Sequence, residues 1–466
     1  MAETSVVSER LRQQARDRGL FERAKEYALE YMQTIGERGV YPSEQALDRL
    51  GTFQENLPED SADPWEILDM LHRTGSPATV AQTGGRYFGF VNGGIVPAAL
   101  AARWLADTWD QNAALYVISP VASALESVCE RWLTDLLGLP EETAAGFVSG
   151  TSTATLCGLA AGRDELLRRS GWDVNARGLF GAPEIRVILG AQAHSTVYKA
   201  LSLLGLGKER LTVVPADDQG RMIAKELPEL DRRTLLILQA GNVNTGAFDP
   251  FVSICGKARA AGAWVHVDGA FGLWAAASRK RKHLTEAVRL ADSWSADAHK
   301  TLNAPYDSGI IFCLHREAIT RAMHMTGSYI VYSDKRDGML YTPEMSRRAR
   351  AVELWATLKV LGRRGVAGLV DELCDKAEQF ATGLGKEGFT IRNRVWFNQV
   401  LVSCESPEIT RATLENVQKS GECWCGGTVW ENEPVVRISV CSFMTTQEDI
   451  ERSIRAFVTA RKRARG

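Results

Sequence analysis

The chain has no long apolar run. Its N-terminus, MAETSVVSERLRQQARDRG, is polar and charged and lacks the apolar core of a signal peptide, and no uninterrupted apolar stretch reaches the length that spans a bilayer. It has no excess charge of either sign. Its 55 basic and 57 acidic side chains leave a net charge of −2, which gives no field to draw in nucleic acid or an anionic membrane. Nor does it have a cysteine framework: nine cysteines are few for 466 residues, Cys423 and Cys425 stand one residue apart, and no CxxC pair occurs. That pattern fits neither a disulfide scaffold nor a zinc site. The expectation is a cytoplasmic protein with reduced, mostly buried thiols, no metal, and no nucleic-acid or membrane partner.

What is present is organised around residues 264–312, WVHVDGAFGLWAAASRKRKHLTEAVRLADSWSADAHKTLNAPYDSGIIF. The run AWVHVDGAF places Asp268 at the carboxyl end of a short β-rich segment, where open α/β sheets bind ligands. About thirty residues later, Asp297, His299 and Lys300 lie between an amphipathic stretch and a second apolar run, GIIFCL, so the lysine is expected on a turn between elements. Taken singly, Asp268 is as easily a turn residue and Lys300 a solvated lysine. Together they suit a pyridoxal phosphate site, which needs a Schiff-base amine and a partner for the pyridine nitrogen.

The rest of the chain supplies further candidates. FVSGTSTATLCGLAAGRDELL (147–167) reads as a strand end, a turn of Gly150, Thr151 and Ser152, and a helix. Such a turn is either a phosphate seat at a helix start or a plain N-cap. EIRVILGAQAHSTVYKALSLLGLG (184–207) sets His194 in a strand-to-helix loop, where it can stack on a planar ring or simply cap the helix. TLLILQAGNVNTGAFDP (234–250) ends a buried strand in Asn242 and Thr245, within reach of a cofactor or part of a turn. GGRYFGFVNGG (84–94) brackets Arg86, Tyr87, Phe88 and Phe90 with glycines, an aromatic wall for a ligand or a core strand. The β-then-α alternation predicts a mostly parallel sheet flanked by helices. Ser8 to Arg38 has apolar residues at helical spacing, and PEDSADP (58–64) is a connector. Residues 323–355 begin as a long aperiodic loop and pass into a helix expected after Pro343. A helix over Val366–Leu384 follows, and the remainder alternates strands and helices as a small α+β unit does.

HVDGAF together with DAHKTLN, at this separation, resembles the group II pyridoxal-phosphate-dependent amino-acid decarboxylases, the group that includes aromatic-amino-acid and glutamate decarboxylases. The resemblance extends from about residue 35 to the C-terminus. It implies a type I pyridoxal-phosphate fold in three parts: residues 1–65 as a helical segment packing across a homodimer, 66–345 as the large cofactor domain, and 346–466 as a small C-terminal domain. It implies that Lys300 carries pyridoxal phosphate, that Asp268 pairs with the pyridine nitrogen, and that His194 stacks on the ring. Gly150, Thr151, Ser152 and His299 would surround the phosphate, and Asp297, Asn242 and Thr245 would also belong to the cofactor site. Tyr329, in TGSYI, stands where many members keep a proton-donating tyrosine, and Arg437 where relatives present a carboxylate-binding arginine. The expected reaction is decarboxylation of an L-amino acid to its amine. Tyr87, Phe88, Phe90 and Trp274 favour an aromatic or bulky substrate, whereas Arg86 or Arg437 would select an acidic one. Transamination, aldehyde formation, carbon–carbon cleavage and a silent scaffold remain open, because one fold supports them all.

Overall fold

The computed structural model describes residues 2–325, 327 and 330–466. Two helices, Ala2–Arg16 and Arg18–Thr34, begin the chain, joined at Asp17, whose carboxylate accepts the Gly19 N–H at 3.0 Å and caps the second. No residue of the second helix is buried, and Phe21 is 61% exposed. Among the described residues the helix's apolar stripe is covered only in part, Tyr27 stacking on His72 at 3.7 Å between ring centroids.

The centre is a seven-stranded sheet built from β1 (Ala144–Val148), β2 (Arg186–Gly190), β3 (Leu211–Val214), β4 (Thr234–Gln239), β5 (Trp264–Asp268), β6 (Ser293–Asp297) and β7 (Gly309–Cys313). The order is β1-β7-β6-β5-β4-β2-β3, with β7 antiparallel to both its neighbours and all other pairings parallel. Covered on both faces, β4 reads TLLILQ without polar alternation. Leu236 and Leu238 pack toward the helices Pro120–Leu136 and Phe251–Ala260, while Leu235 and Ile237 face the helices Thr151–Arg169 and Ser195–Leu203.

Strand β6, SWSAD, is read from the sequence only as the end of an amphipathic stretch. It is a buried strand because its serines are satisfied internally: Ser293 Oγ accepts the Trp264 indole N–H at 3.1 Å, and Ser295 Oγ lies 3.0 Å from Thr155 Oγ1. The helix expected just after Pro343 begins only at Ala351 and runs to Lys386, broken at Gly362 (φ 60°, ψ 177°). The intervening arginines explain the delay. Arg347 pairs with buried Glu126 at 2.7 Å, and Arg348 and Arg350 converge on Asp307 at 2.7 and 3.1 Å. The first half of the broken helix packs Leu354 and Leu358 on the large sheet's core, and the second packs Phe380 and Leu384 elsewhere.

That second core belongs to an antiparallel sheet of β8 (Thr390–Ile391), β9 (Gln399–Ser403), β10 (Gly426–Trp430) and β11 (Glu433–Ser439), ordered β10-β11-β9-β8. Helices Pro407–Ser420 and Gln447–Ala464 cover it, the latter entered through a Thr446–Asp449 capping box. An early segment also joins this unit: the Phe88 N–H donates to Trp424 O at 2.7 Å, and the Ser439 N–H to Phe88 O at 2.9 Å.

Candidate active site

β1, β2, β4, β5 and β6 all end at one edge of the large sheet, and their exits build a cleft of about 470 Å³. Gly150, Thr151 and Ser152 enter it after β1, His194 after β2, Asp268 at the end of β5, and Asp297, His299 and Lys300 at and after β6. Close packing at this edge requires glycine at the start of β7. A Cβ on Gly309 would lie 2.3 Å from Gly150 Cα, so only glycine lets β7 run past the hydroxyl turn.

Asp297 is the hub of the lysine turn. Its Oδ2 accepts Lys300 Nζ at 2.8 Å, its Oδ1 accepts the Thr151 N–H at 2.7 Å, and His299 Nε2 lies 3.7 Å away. Burial alone would raise the Asp297 pKa, but the charges of Lys300 and His299 and the bonds from Lys300 and Thr151 outweigh it and hold the group below its ordinary value. The Trp274 indole N–H donates to Asp297 O at 2.9 Å and holds the backbone. His299 Nδ1 accepts the Ser308 N–H at 3.2 Å, which places the imidazole's proton on Nε2, toward Asp297. Tyr306 stacks on that ring at 4.2 Å between centroids.

Two features make the cleft fit pyridoxal phosphate. Asp268 is 5% exposed, and its carboxylate receives one side-chain hydrogen bond among the described residues, from the Ala270 N–H at 3.2 Å. Burial raises its pKa, opposed by the charges of His194 and Lys300. A buried carboxylate so thinly satisfied suits a protonated ring nitrogen. The second feature is Thr151 Oγ1, buried without a partner among the described residues at the start of the helix Thr151–Arg169, where a phosphate oxygen would satisfy it. His194 caps the helix Ser195–Leu203 through the Thr196 N–H and also lines the cleft. Burial lowers its pKa, aided by Lys300 and Arg437 and opposed by Asp268 and Asp297, which favours a neutral imidazole.

Several expected site residues are engaged elsewhere. Asn242 Oδ1 accepts the N–H groups of Asn244 and Thr245 at 2.9 and 3.2 Å, and the Thr245 hydroxyl donates to Gln219 O at 2.6 Å. Both are turn residues outside the cleft lining. Phe88 is fully buried and packs edge-on against Phe380 in the small core, because successive residues of an extended segment face opposite ways. Trp274 is fully buried beneath Asp297 and lines no substrate pocket. Arg86 is buried, donates to Gly36 O and Arg38 O at 2.9 and 3.1 Å, and lies 3.5 Å from Asp449, so it selects no ligand. Tyr329 lies outside the described residues.

Tyr87 and Phe90 do meet, through a residue the sequence did not mark. Trp424 stacks on Tyr87 at 5.2 Å and on Phe90 at 5.7 Å, and Phe90, 63% exposed, borders the cleft. Arg437, on β11, is half-buried and forms no ion pair among the described residues, and its charge is felt by both Tyr87 and His194. Trp424, Tyr306 and Ser308 went unnoticed because each acts on a distant or rotated partner and carries no local motif.

Comparison with known proteins agrees with this geometry. The pyridoxal-dependent decarboxylase conserved domain matches residues 50–402. An aromatic-L-amino-acid decarboxylase of Bacillus atrophaeus is 28% identical over 346 residues, 71% of this chain and 70% of that protein. An acidic amino acid decarboxylase of Xenopus tropicalis is 25% identical over 381 residues, 78% of this chain and 73% of that protein. The crystal structure of Oryza sativa TDC with PLP and tryptamine superimposes with a TM-score of 0.88 at 21% identity, covering 96% of this chain and 97% of that one, and so shares the fold. The chain belongs to the pyridoxal-dependent decarboxylase family. It is a carboxy-lyase of amino acids that works with pyridoxal phosphate.

Proposed function

We propose that the substrate is an L-amino acid with a bulky aromatic side chain, and that the products are its amine and carbon dioxide. Bound pyridoxal phosphate supplies an electron sink for the pair left on the substrate carbon when its bond to the carboxylate breaks. The chain's residues hold and orient the rest. Lys300 provides the amine that carries the cofactor, and Asp268, as a carboxylate, keeps the ring nitrogen protonated. His194 offers a neutral imidazole face. Gly150, Thr151 and Ser152 receive the phosphate together with His299, which lines the same cleft. Tyr329 returns a proton to the substrate carbon.

The observation that carries the substrate class is Phe90, which lines the cleft and is backed by Trp424 and, behind it, Tyr87 in an aromatic stack. The aromatic-L-amino-acid decarboxylase among the relatives supports the same reading. Arg437, without an ionic partner among the described residues, favours a second reading, an acidic side chain, as the acidic amino acid decarboxylase does. Separate Phe90→Ala and Arg437→Met variants divide the two. On the first reading Phe90→Ala raises KM for aromatic substrates about tenfold while Arg437→Met leaves the choice of substrate unchanged; the reverse pattern establishes the second.

The assembly is a homodimer, supported by apolar surface left open on this chain: Leu11, Phe21, Trp109 and Val117 are 55%, 61%, 45% and 60% exposed. Residues 1–65 supply part of that surface, 66–345 form the cofactor domain, and 346–466 form the small domain. Nine free cysteines support a reducing, cytoplasmic setting. Among the described residues, no helix is long and apolar enough to cross a membrane.

A further inference from the structure

The turn that carries Lys300 is clamped by a residue three positions along the chain. Asn303 is wholly buried and its backbone is left-handed, φ 58°, a conformation asparagine tolerates better than most residues with a side chain. Its amide reaches five backbone groups. Oδ1 accepts the N–H groups of Gly94 and Phe443 at 2.8 and 2.9 Å. Nδ2 shares its two hydrogens among Lys300 O at 3.1 Å, Thr301 O at 2.9 Å and Cys441 O at 2.9 Å. Three separate segments are thereby joined: the loop before the helix Pro97–Trp109, the lysine turn, and the chain leaving β11 in the small unit.

The turn is pressed from the loop side as well. The Gly93 N–H donates to His299 O at 3.3 Å, and a Cβ on Gly93 would lie 2.2 Å from Lys300 O. Backbone therefore meets backbone directly behind the lysine. Asn303 itself does not line the cleft, so whatever it contributes passes through Lys300.

We propose that Asn303 is the positioning residue for Lys300, holding the lysine turn in register with the small unit so that the amine reaches the cofactor. This rests on the reading of Lys300 as the cofactor-bonding amine. The consequence is a linkage: seating of the small unit against residues 441–443 sets where the nucleophile stands. Deletion of the amide should act on capture of the cofactor beyond any effect on folding.

The test mixes apoprotein with pyridoxal phosphate in stopped flow, follows the absorbance of the lysine-bound cofactor, and traps the bond with borohydride for peptide mass analysis. Asn303→Gly keeps the left-handed backbone but loses all five contacts. Val402→Ala, in the small core, weakens the fold without touching the turn. Folded Asn303→Gly should bond the cofactor about tenfold to a hundredfold more slowly than wild type, while Val402→Ala, with a comparable loss of Tm, bonds it at the wild-type rate. Asn303→Asp, which keeps both acceptor bonds, carries the same expectation if the glycine variant does not fold. Capture within about twofold of wild type, or equal slowing in Val402→Ala, overturns the proposal. Lys300→Ala distinguishes the underlying reading: a trapped cofactor at wild-type yield in that variant would remove Lys300 from its role, whatever Asn303 does.

Discussion

Lys300 Nζ donates to Asp297 Oδ2 at 2.8 Å, while the other oxygen of the same carboxylate accepts the Thr151 N–H at 2.7 Å. One buried anion thus ties the lysine to the hydroxyl turn, joining the two sequence motifs that lie farthest apart in the cofactor site. In the apoprotein this pair should be energetically coupled. A double-mutant cycle of Lys300→Ala and Asp297→Asn, read by denaturant unfolding, should give a coupling of about 1–3 kcal/mol. Zero coupling would mean that the pair contributes nothing to the turn. The depressed pKa of Asp297 adds a direction: its contribution is in place above the ordinary aspartate range and is lost as the pH falls below it.

Thr151 should behave unlike an ordinary buried hydroxyl. Because its Oγ1 has no partner among the described residues, Thr151→Val removes none of their hydrogen bonds from the apoprotein. Its thermal midpoint should stay level or rise, while affinity for pyridoxal phosphate falls about tenfold or more, the value of one bond to a charged group. Loss of apoprotein stability with unchanged affinity would show that the hydroxyl serves the fold instead.

His266 makes stability depend on acidity through a group that does not line the cleft. It is fully buried on β5 beside Ser293, and burial pushes its pKa down to about 3 from 6.5. Between those values the unfolded chain holds a proton that the folded one does not, so stability rises with pH through this window and is fully present above it. Acidification from pH 6.5 should cost about 1.4 kcal/mol per unit through this group, and His266→Gln should lose less over the same range. Parallel stability curves for the two proteins would exclude His266 as the source.

The Asp268 carboxylate should be indispensable to the electron sink. Asp268→Asn keeps the size of the side chain but cannot hold a proton on the ring nitrogen by charge, so kcat should fall about 10²-fold to 10⁴-fold. The lysine-bound cofactor should still form, because Lys300 is untouched. An active Asp268→Asn enzyme would contradict the assigned role.

Most of the scaffold and the centre of the site were legible in the sequence for local reasons. A strand covered on both faces is a continuous apolar run, so β4, β5 and β7 announce themselves, and Asp268 and Lys300 stand beside them. β6 was hidden because its serines find their partners, Trp264 and Thr155, only after the sheet has formed. Arg347, Arg348 and Arg350 look solvated until Glu126 and Asp307 arrive from elsewhere in the chain. The same limit applies to the aromatic stack behind Phe90. Tyr87 and Phe88 are adjacent in sequence, yet extended backbone sends them to opposite sides, and Trp424, which stacks on Tyr87, lies more than three hundred residues away.

The most direct test of the account is product analysis of the purified protein, saturated with pyridoxal phosphate and offered a panel of L-amino acids. Carbon dioxide and the products are measured together by mass spectrometry, with Lys300→Ala as the control. The account predicts carbon dioxide and amine in equal amounts, with aromatic substrates turned over fastest, and no product from Lys300→Ala. Aldehyde or keto acid in place of amine, or turnover that survives in Lys300→Ala, would contradict it.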